Sequence, residues 1–250
     1  MTQKVLNVPS AQHLARNWRE RPEMIANELV RLFDNTPMFN YNALVHAVRD
    51  YLVFGVPFDD VERGIREKVK RETVRNNFLE ILPLLRRHFE NEKPDFVNAV
   101  SPRFYPLARG ADGRTLSIPF KPPMVYGVGG KLVFPWFIFW RKNPLNGEKL
   151  SLFVSVVKEV LAQDPDLEDA EFQILDFSSV KPDQPRILRS INANDVPEIS
   201  VSRRNEMLEQ FSQGFFLAQE RIAERQEKKE RAKREQERRE EHDPRQQTFF

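Results

Sequence analysis

The chain has 250 residues, of which 40% are hydrophobic and 30% are charged, and its formal net charge is +2. This length suffices for one large domain or two small ones, and so small a net charge provides no overall basic field that would attract nucleic acid. The sequence contains no cysteine. That absence excludes disulfides, thiolate zinc sites, iron–sulfur clusters and cysteine nucleophiles.

The sequence shows neither of the usual signals for export or membrane insertion. Its N-terminus lacks the apolar segment of a signal peptide. The most apolar run, residues 132–140, is shorter than the roughly 20 residues that a membrane-spanning helix needs. We therefore expect a cytoplasmic protein with no membrane partner.

Residues 1–95 are predicted to form a helical region, a bundle of helices with short connections. Ser10 is a candidate N-cap, Pro22 suits the first turn of a helix, Gly55 favours a helix end, and Pro83 predicts a kink or a split. The helices are predicted over residues 10–20, 22–33, 42–54, from about 59, and 77–89.

Residues 96–200 are predicted to form an α+β region with a small mixed sheet. Gly129 and Gly130 favour a tight turn before a long strand, in which Pro135 predicts an edge position or a bulge. A buried helix is expected over residues 150–163. Strands are predicted over residues 116–120, 124–128, 131–141, 170–178 and 186–191.

Residues 201–242 are predicted to form one long helix that projects from the fold. An apolar stripe in its first half can dock on the rest of the protein. From about residue 224 the apolar stripe is absent and charged residues predominate, with Glu and Lys or Arg four residues apart, as in Glu227 and Arg231. Such pairs stabilise a solvated helix. Asp243-Pro244 should end it, leaving residues 243–250 as a flexible tail with an aromatic end.

No catalytic residue, cofactor or metal ligand is predicted. The segment Gly127–Lys131 lacks the Walker spacing and is interpreted as a hairpin turn. The four histidines have no metal-binding spacing, and no nucleophile-elbow pattern occurs. The acidic run from Asp164 to Glu171 offers oxygen ligands for a divalent cation, but a solvated loop is favoured because the EF-hand order is missing.

The order of elements over residues 115–220 resembles the core of PD-(D/E)XK nucleases: strands ending in FPWFIFWRKNPL, a buried helix, a strand and a closing helix. That family places an acidic residue and a (D/E)-x-K triplet on adjacent strands to hold Mg²⁺. Here the matching strand carries no carboxylate. Asp166 and Glu171 match the residue types of the motif, but they are too close in sequence to lie on two adjacent strands.

Trp140, Arg141 and Lys142 are a candidate nucleic-acid-binding group, because aromatic rings stack on bases and cations contact phosphates. For the strand that precedes them, burial in the core is favoured over a binding surface. Both of its alternating faces are apolar, which is typical of a strand buried on both sides.

The last five residues, QQTFF, resemble the peptides by which bacterial proteins bind the DNA-polymerase sliding clamp. Those peptides have glutamine first, leucine fourth and phenylalanine fifth. Gln246 and Phe250 match, and Phe249 stands in place of leucine. The resemblance implies a protein partner, a sliding clamp, bound through the tail. The alternative is that both rings pack on the protein itself.

The sequence therefore favours a non-catalytic adaptor of α+β fold, associated with DNA replication, repair or a mobile element, that presents its C-terminal peptide to a protein partner. Two alternatives stay open. One is a metal-dependent enzyme of nuclease-like fold, for which Glu171 and Asp176 are the carboxylates to test. The other is a structural subunit of a larger assembly.

Overall fold

The computed structural model describes residues 5–35, 41–109, 115–181 and 183–241. The predicted α+β class is confirmed. The helices are α1 (Ala11–Asn17), α2 (Pro22–Asp34), α3 (Asn42–Phe54), α4 (Phe58–Lys68), α5 (Glu72–Glu92), α6 (Glu148–Ala162) and α7 (Val201–Glu241). The strands are β1 (Phe96–Asn98), β2 (Arg103–Arg109), β3 (Thr115–Phe120), β4 (Val125–Val128), β5 (Lys131–Ile138), β6 (Glu171–Asp176) and β7 (Arg189–Asn192).

Several helix boundaries follow from the predicted local signals. Pro22 is the first residue of α2. Gly55 adopts the left-handed conformation, with φ of 62°, and ends α3. A kink or a split was predicted at Pro83, and the split does not occur: α5 runs unbroken from residue 72 to residue 92.

The main sheet has five strands in the order β1-β4-β5-β6-β7. β5 and β6 are parallel and are joined through α6, whereas the other neighbouring pairs are antiparallel. The predicted hairpin is confirmed: Gly129 and Gly130 turn the chain between β4 and β5 with positive φ angles. β2 and β3 form a separate antiparallel pair.

Pro135 does not lie on an edge strand, since β5 is the central strand of the sheet. Its position is nevertheless consistent with proline chemistry. The pairing of β4 with β5 extends only to Val133, so Pro135 has a ladder neighbour on β6 alone. The missing N–H therefore removes no hydrogen bond to β4.

The sheet separates two hydrophobic cores, and β5 contributes to both. Phe134 and Trp136 join the core that contains α1, α2, α6 and α7. Phe137 and Phe139 join the core that contains α3, α4 and α5. The expectation that this strand is buried on both sides is confirmed. The N-terminal helices are thus two groups, one in each core, rather than a bundle that packs only on itself.

Candidate functional site

A polar cleft lies where the parallel strands β5 and β6 end. The carboxyl ends of parallel strands are the usual position of ligand sites in such sheets. Here the segments that follow the two strands face α5 across a cavity of about 530 Å³. We call it the Arg186 cleft, and it is lined by Tyr41, Arg71, Thr73, Val74, Asn76, Asn77, Glu80, Arg141 and Arg186.

Arg186 forms the floor of the cleft and fixes both strand ends. Its side chain is 1% exposed. Nη1 donates to the carbonyl oxygens of Phe139, at 3.2 Å, and Phe177, at 2.7 Å, which follow β5 and β6 respectively. Nη2 donates to Oδ1 of Asn77 on α5. The guanidinium therefore ties the sheet to α5.

Burial shifts the pKa values of Arg186 and Tyr41 in the cleft. Burial lowers the pKa of the Arg186 guanidinium, and the nearby Tyr41 and Glu80 partly oppose that shift. Burial also raises the pKa of Tyr41, with a smaller opposing effect from its hydrogen bond to Asn77. An arginine keeps its proton at any physiological pH. The cleft thus contains a permanent, largely desolvated positive charge.

Glu80 of α5 bridges two arginines in the cleft. Its carboxylate accepts from Nη1 of Arg141 at 2.7 Å and from the backbone N–H of Arg186 at 3.2 Å. Oε2 also lies 3.5 Å from Nε of Arg186, which is within ion-pair distance. That Nε is nevertheless buried without a hydrogen-bond partner among the described residues. Buried donors of this kind are uncommon in folded proteins.

A second polar cluster surrounds Asp176 at the end of β6. Its side chain is 2% exposed and accepts from Nη2 of Arg189 at 2.8 Å and Nδ2 of Asn143 at 3.1 Å. It also accepts from the backbone N–H of Ser178 at 2.9 Å. A buried carboxylate with three donors is well satisfied. Its evident role is to hold the segments that follow β5 and β6.

The carboxylates proposed for a nuclease-like site do not converge. Glu171 begins β6 and accepts from Lys131 Nζ at 2.5 Å, whereas Asp176 ends the same strand. Five steps of about 3.3 Å separate them by about 17 Å. Asp166 lies in a 3₁₀ turn before β6. Within the described residues, no group of three or more His, Asp or Glu side chains could hold a metal ion.

The predicted nucleic-acid-binding group is divided between two surroundings. Trp140 is half-buried against α1, with its ring 5.4 Å from that of His13 and with the Arg16 guanidinium 5.0 Å from its centroid. Arg141 lines the Arg186 cleft beside α5. Lys142 is exposed. Trp140 and Arg141 therefore do not form one stacking surface with a cationic rim.

The C-terminal helix has a docked part and an exposed part. The predicted apolar stripe is confirmed, with Met207, Phe211 and Phe215 fully buried. Ile222 is the last buried residue among those whose side chains the structure describes. Of residues 223–236, all but Gln226 are exposed. We call residues 223–241 the arm. The predicted partner-binding residues Gln246, Phe249 and Phe250 lie outside the described residues.

The Arg186 cleft was not predicted from the sequence, because the residues that build it are far apart in the chain. Arg186 and Glu80 are separated by 106 residues, and Arg186 and Asn77 by 109. Residues 186–191 were expected to be a strand, yet β7 begins only at Arg189. Of the residues that line the cleft, the sequence pattern indicated only Arg141, as part of the candidate nucleic-acid-binding group with Trp140 and Lys142.

Comparisons with known proteins leave the function open. No protein-family profile matches the sequence, and no curated protein is significantly similar to it. Among solved structures, the crystal structure of SSO0001 is similar over 75% of this chain and 83% of that chain, at 9% sequence identity and a TM-score of 0.34. So low a TM-score assigns neither a fold family nor a function. Among the helices described, none combines the length and the apolar character needed to cross a bilayer.

Proposed function

We propose that this chain is a non-catalytic cytoplasmic adaptor that uses the arm of α7 to present its C-terminal peptide to a protein partner. The observation that carries the proposal is the exposure of the arm. The last contact with another helix described for α7 is the ion pair of Arg225 with Asp34, at 3.1 Å. At 1.5 Å per residue, the helix then rises about 28 Å from Ile222 to Glu241.

The charge of the arm favours a spacer over a nucleic-acid-binding surface. Residues 224–241 contain seven acidic and eight basic side chains, so their charges almost cancel. A nucleic-acid-binding helix instead concentrates Lys and Arg on one face. Glu227 and Arg231 lie 3.9 Å apart, four residues from each other along the helix. Such pairs keep a solvated helix formed.

The partner we propose is the bacterial DNA-polymerase sliding clamp, which would connect the protein to DNA replication or repair. The support is the resemblance of QQTFF to clamp-binding peptides, through Gln246, Phe249 and Phe250. Two adjacent aromatic anchors suit an apolar pocket on a partner. The arm supports this assignment because the described side chains that precede the peptide in the sequence are exposed rather than packed in either core.

The test is a titration of purified bacterial sliding clamp with the full chain and with a chain lacking Gln246–Phe250. We expect the deletion to weaken binding at least about tenfold, since hot-spot aromatic residues contribute about 2 kcal/mol or more. Thr248→Ala is the matched control, because Thr248 lies between Gln246 and Phe249, is none of the three motif residues, and should leave affinity unchanged.

Thermal unfolding of the same variants separates recognition from packing. The deletion should leave the melting temperature unchanged. A clear fall in melting temperature would mean that the two rings pack on the protein. Equal affinity with and without the tail would mean that the tail does not bind the clamp, and no binding by the full chain would eliminate the clamp as a partner.

The second candidate is a metal-dependent enzyme of nuclease-like fold. The observation that favours it is the layout of an antiparallel β4–β5 hairpin and a parallel β5–α6–β6 crossover, closed by α7. The engagement of Glu171 by Lys131 and of Asp176 by Arg189 weighs against it. Mg²⁺-dependent cutting of plasmid or single-stranded DNA that is lost in Glu171→Ala or Asp176→Ala would support the enzyme. The exposed Glu168→Ala is the control.

A further inference from the structure

The Arg186 cleft has the charge of an anion-binding site. Among the described residues that line it, three are arginines and one is a glutamate. One of the arginines, Arg186, is almost fully buried, so solvent and salt screen its positive charge only weakly. Its buried Nε makes no hydrogen bond among the described residues. The floor of the cleft therefore contains one buried donor that Glu80 approaches only at ion-pair distance.

The remaining lining also suits a polar ligand. Thr73 and Asn76 are exposed at the beginning of α5, and Asn77 lies between them and the floor. Tyr41 contributes an aromatic ring beside these groups, 5.2 Å from the ring of Phe139. Small-molecule sites typically have volumes of about 300–1,000 Å³. The cavity of about 530 Å³ falls in that range.

We propose that the Arg186 cleft binds the phosphate group of a phosphate monoester, which replaces the Glu80 carboxylate between Arg141 and Arg186. A phosphate monoester carries a charge of about −1.5 to −2 at neutral pH, which is opposite in sign to the two arginines that contact Glu80. Guanidinium groups bind phosphate oxygens through paired hydrogen bonds. In the structure, the Glu80 carboxylate occupies the proposed phosphate position and contacts both arginines. This inference is independent of the adaptor function.

The position of Glu80 makes its displacement feasible. Its side chain is 30% exposed, in contrast to the buried Arg186. A glutamate on a helix surface can rotate towards solvent, whereas Arg186 is held by two backbone carbonyls and Asn77. The Arg186 guanidinium is therefore held in place, whereas the Glu80 carboxylate, which competes with the phosphate, can move.

The test is isothermal titration calorimetry on the full chain with adenosine monophosphate, and with adenosine as the comparison. We expect the monophosphate to bind and adenosine not to bind. Arg141→Gln should weaken binding at least about tenfold, because it removes a charge-assisted pair of hydrogen bonds. Glu80→Gln should tighten binding at least about threefold, because it removes the competing negative charge.

Arg86 and Glu90 provide matched controls on the same helix. They form an exposed ion pair of 2.6 Å on α5 and do not line the cleft. Arg86→Gln and Glu90→Gln should therefore leave the affinity unchanged. Arg141→Gln and Glu80→Gln also avoid the buried Arg186, whose replacement would impair folding.

A 5′-phosphorylated oligonucleotide, with its unphosphorylated form as comparison, identifies the source of the phosphate. Stronger binding of the phosphorylated oligonucleotide than of adenosine monophosphate points to a nucleic-acid end, and the reverse order points to a free small molecule. Either result supports phosphate recognition. Equal binding of adenosine and its monophosphate, unchanged affinity in Arg141→Gln, or no binding at millimolar concentration would overturn the proposal.

Discussion

The two parts of α7 are continuous in the backbone but are stabilised by different forces. Residues 201–222 bury Met207, Phe211 and Phe215 in the core shared with α2 and α6. In the arm, residues 223–241, no side chain that the structure describes belongs to either core. Its charged side chains pair along the helix, as Glu227 and Arg231 do. The first part is helical because it is packed, and the second because its own sequence favours a helix.

The difference shows how an exposed stretch of helix can persist. Starting an isolated helix in water is unfavourable, because the first turn is costly to form. The docked part of α7 supplies that first turn, so the arm only has to extend an existing helix. We therefore expect changes in the docked part to affect the whole protein and changes in the arm to remain local.

The largest effect is expected for Phe211→Ala in the docked part. Phe211 is fully buried. Truncating a buried phenylalanine typically costs about 3–5 kcal/mol, through lost burial and the cavity left behind. Urea denaturation should show this loss, while Lys229→Ala in the arm should change the free energy of unfolding by less than about 0.5 kcal/mol. A loss below about 1 kcal/mol for Phe211→Ala would contradict the described packing.

A glycine substitution tests the close contact between α7 and α2. A Cβ on Gly214 would lie 2.6 Å from Cβ of Ile25 and 2.8 Å from the carbonyl oxygen of Pro22. We expect Gly214→Ala to destabilise the protein by about 1–3 kcal/mol, as overpacking does. In Gly64→Ala, on α4, the new Cβ meets nothing within 4 Å.

The two glycine variants should therefore change stability in opposite directions. Gly64→Ala should stabilise the protein by up to about 1 kcal/mol, because alanine is the better helix former. Melting temperatures measured side by side provide the comparison. If both variants gained stability, α7 would pack less closely on α2 than described.

The sequence predicted those parts of the fold that depend on local chemistry. Pro22 begins α2, Gly55 ends α3, and the apolar stripe of α7 ends where the arm begins. These signals lie within the elements that they determine. The short strand β1 was missed because its three residues, Phe96–Asn98, carry no periodic pattern of their own. It is formed by pairing with β4.

The Arg186 cleft was beyond prediction for a different reason. A buried arginine is unfavourable unless the fold brings partners to it. The partners here are Asn77 and Glu80 on α5, together with the carbonyl oxygens of Phe139 and Phe177. Only the packing of α5 against the strand ends brings them together. The same holds for Gly214, whose importance depends on Ile25 in a distant part of the sequence.

A smaller effect is expected at the boundary between the two parts of α7. Arg225 pairs with Asp34 at 3.1 Å, and both side chains are at least half exposed. Exposed ion pairs contribute about 0–1 kcal/mol. A double-mutant cycle with Asp34→Asn and Arg225→Gln should give a coupling energy in that range. A coupling above about 2 kcal/mol would place the end of the docked part beyond Ile222.

The smallest effect is expected within the arm. Each pair of opposite charges four residues apart adds about 0.2–0.5 kcal/mol to local helix stability. Glu227→Gln combined with Glu230→Gln should therefore lower the helical circular dichroism signal slightly and leave the melting temperature unchanged. High salt should produce a similar loss in the unsubstituted chain, because it screens the same pairs.

Glu206→Gln in the docked part is the control for this last variant. Glu206 accepts from Arg203 at 2.8 Å on an exposed surface, but the surrounding helix is held by its buried stripe. Its replacement should not reduce the helical signal. If the arm variant lowered the melting temperature as well, the arm would contribute to the folded core, and its proposed role as a spacer would fail. If helicity fell only in the arm variant, charge pairing would be what extends α7 beyond Ile222.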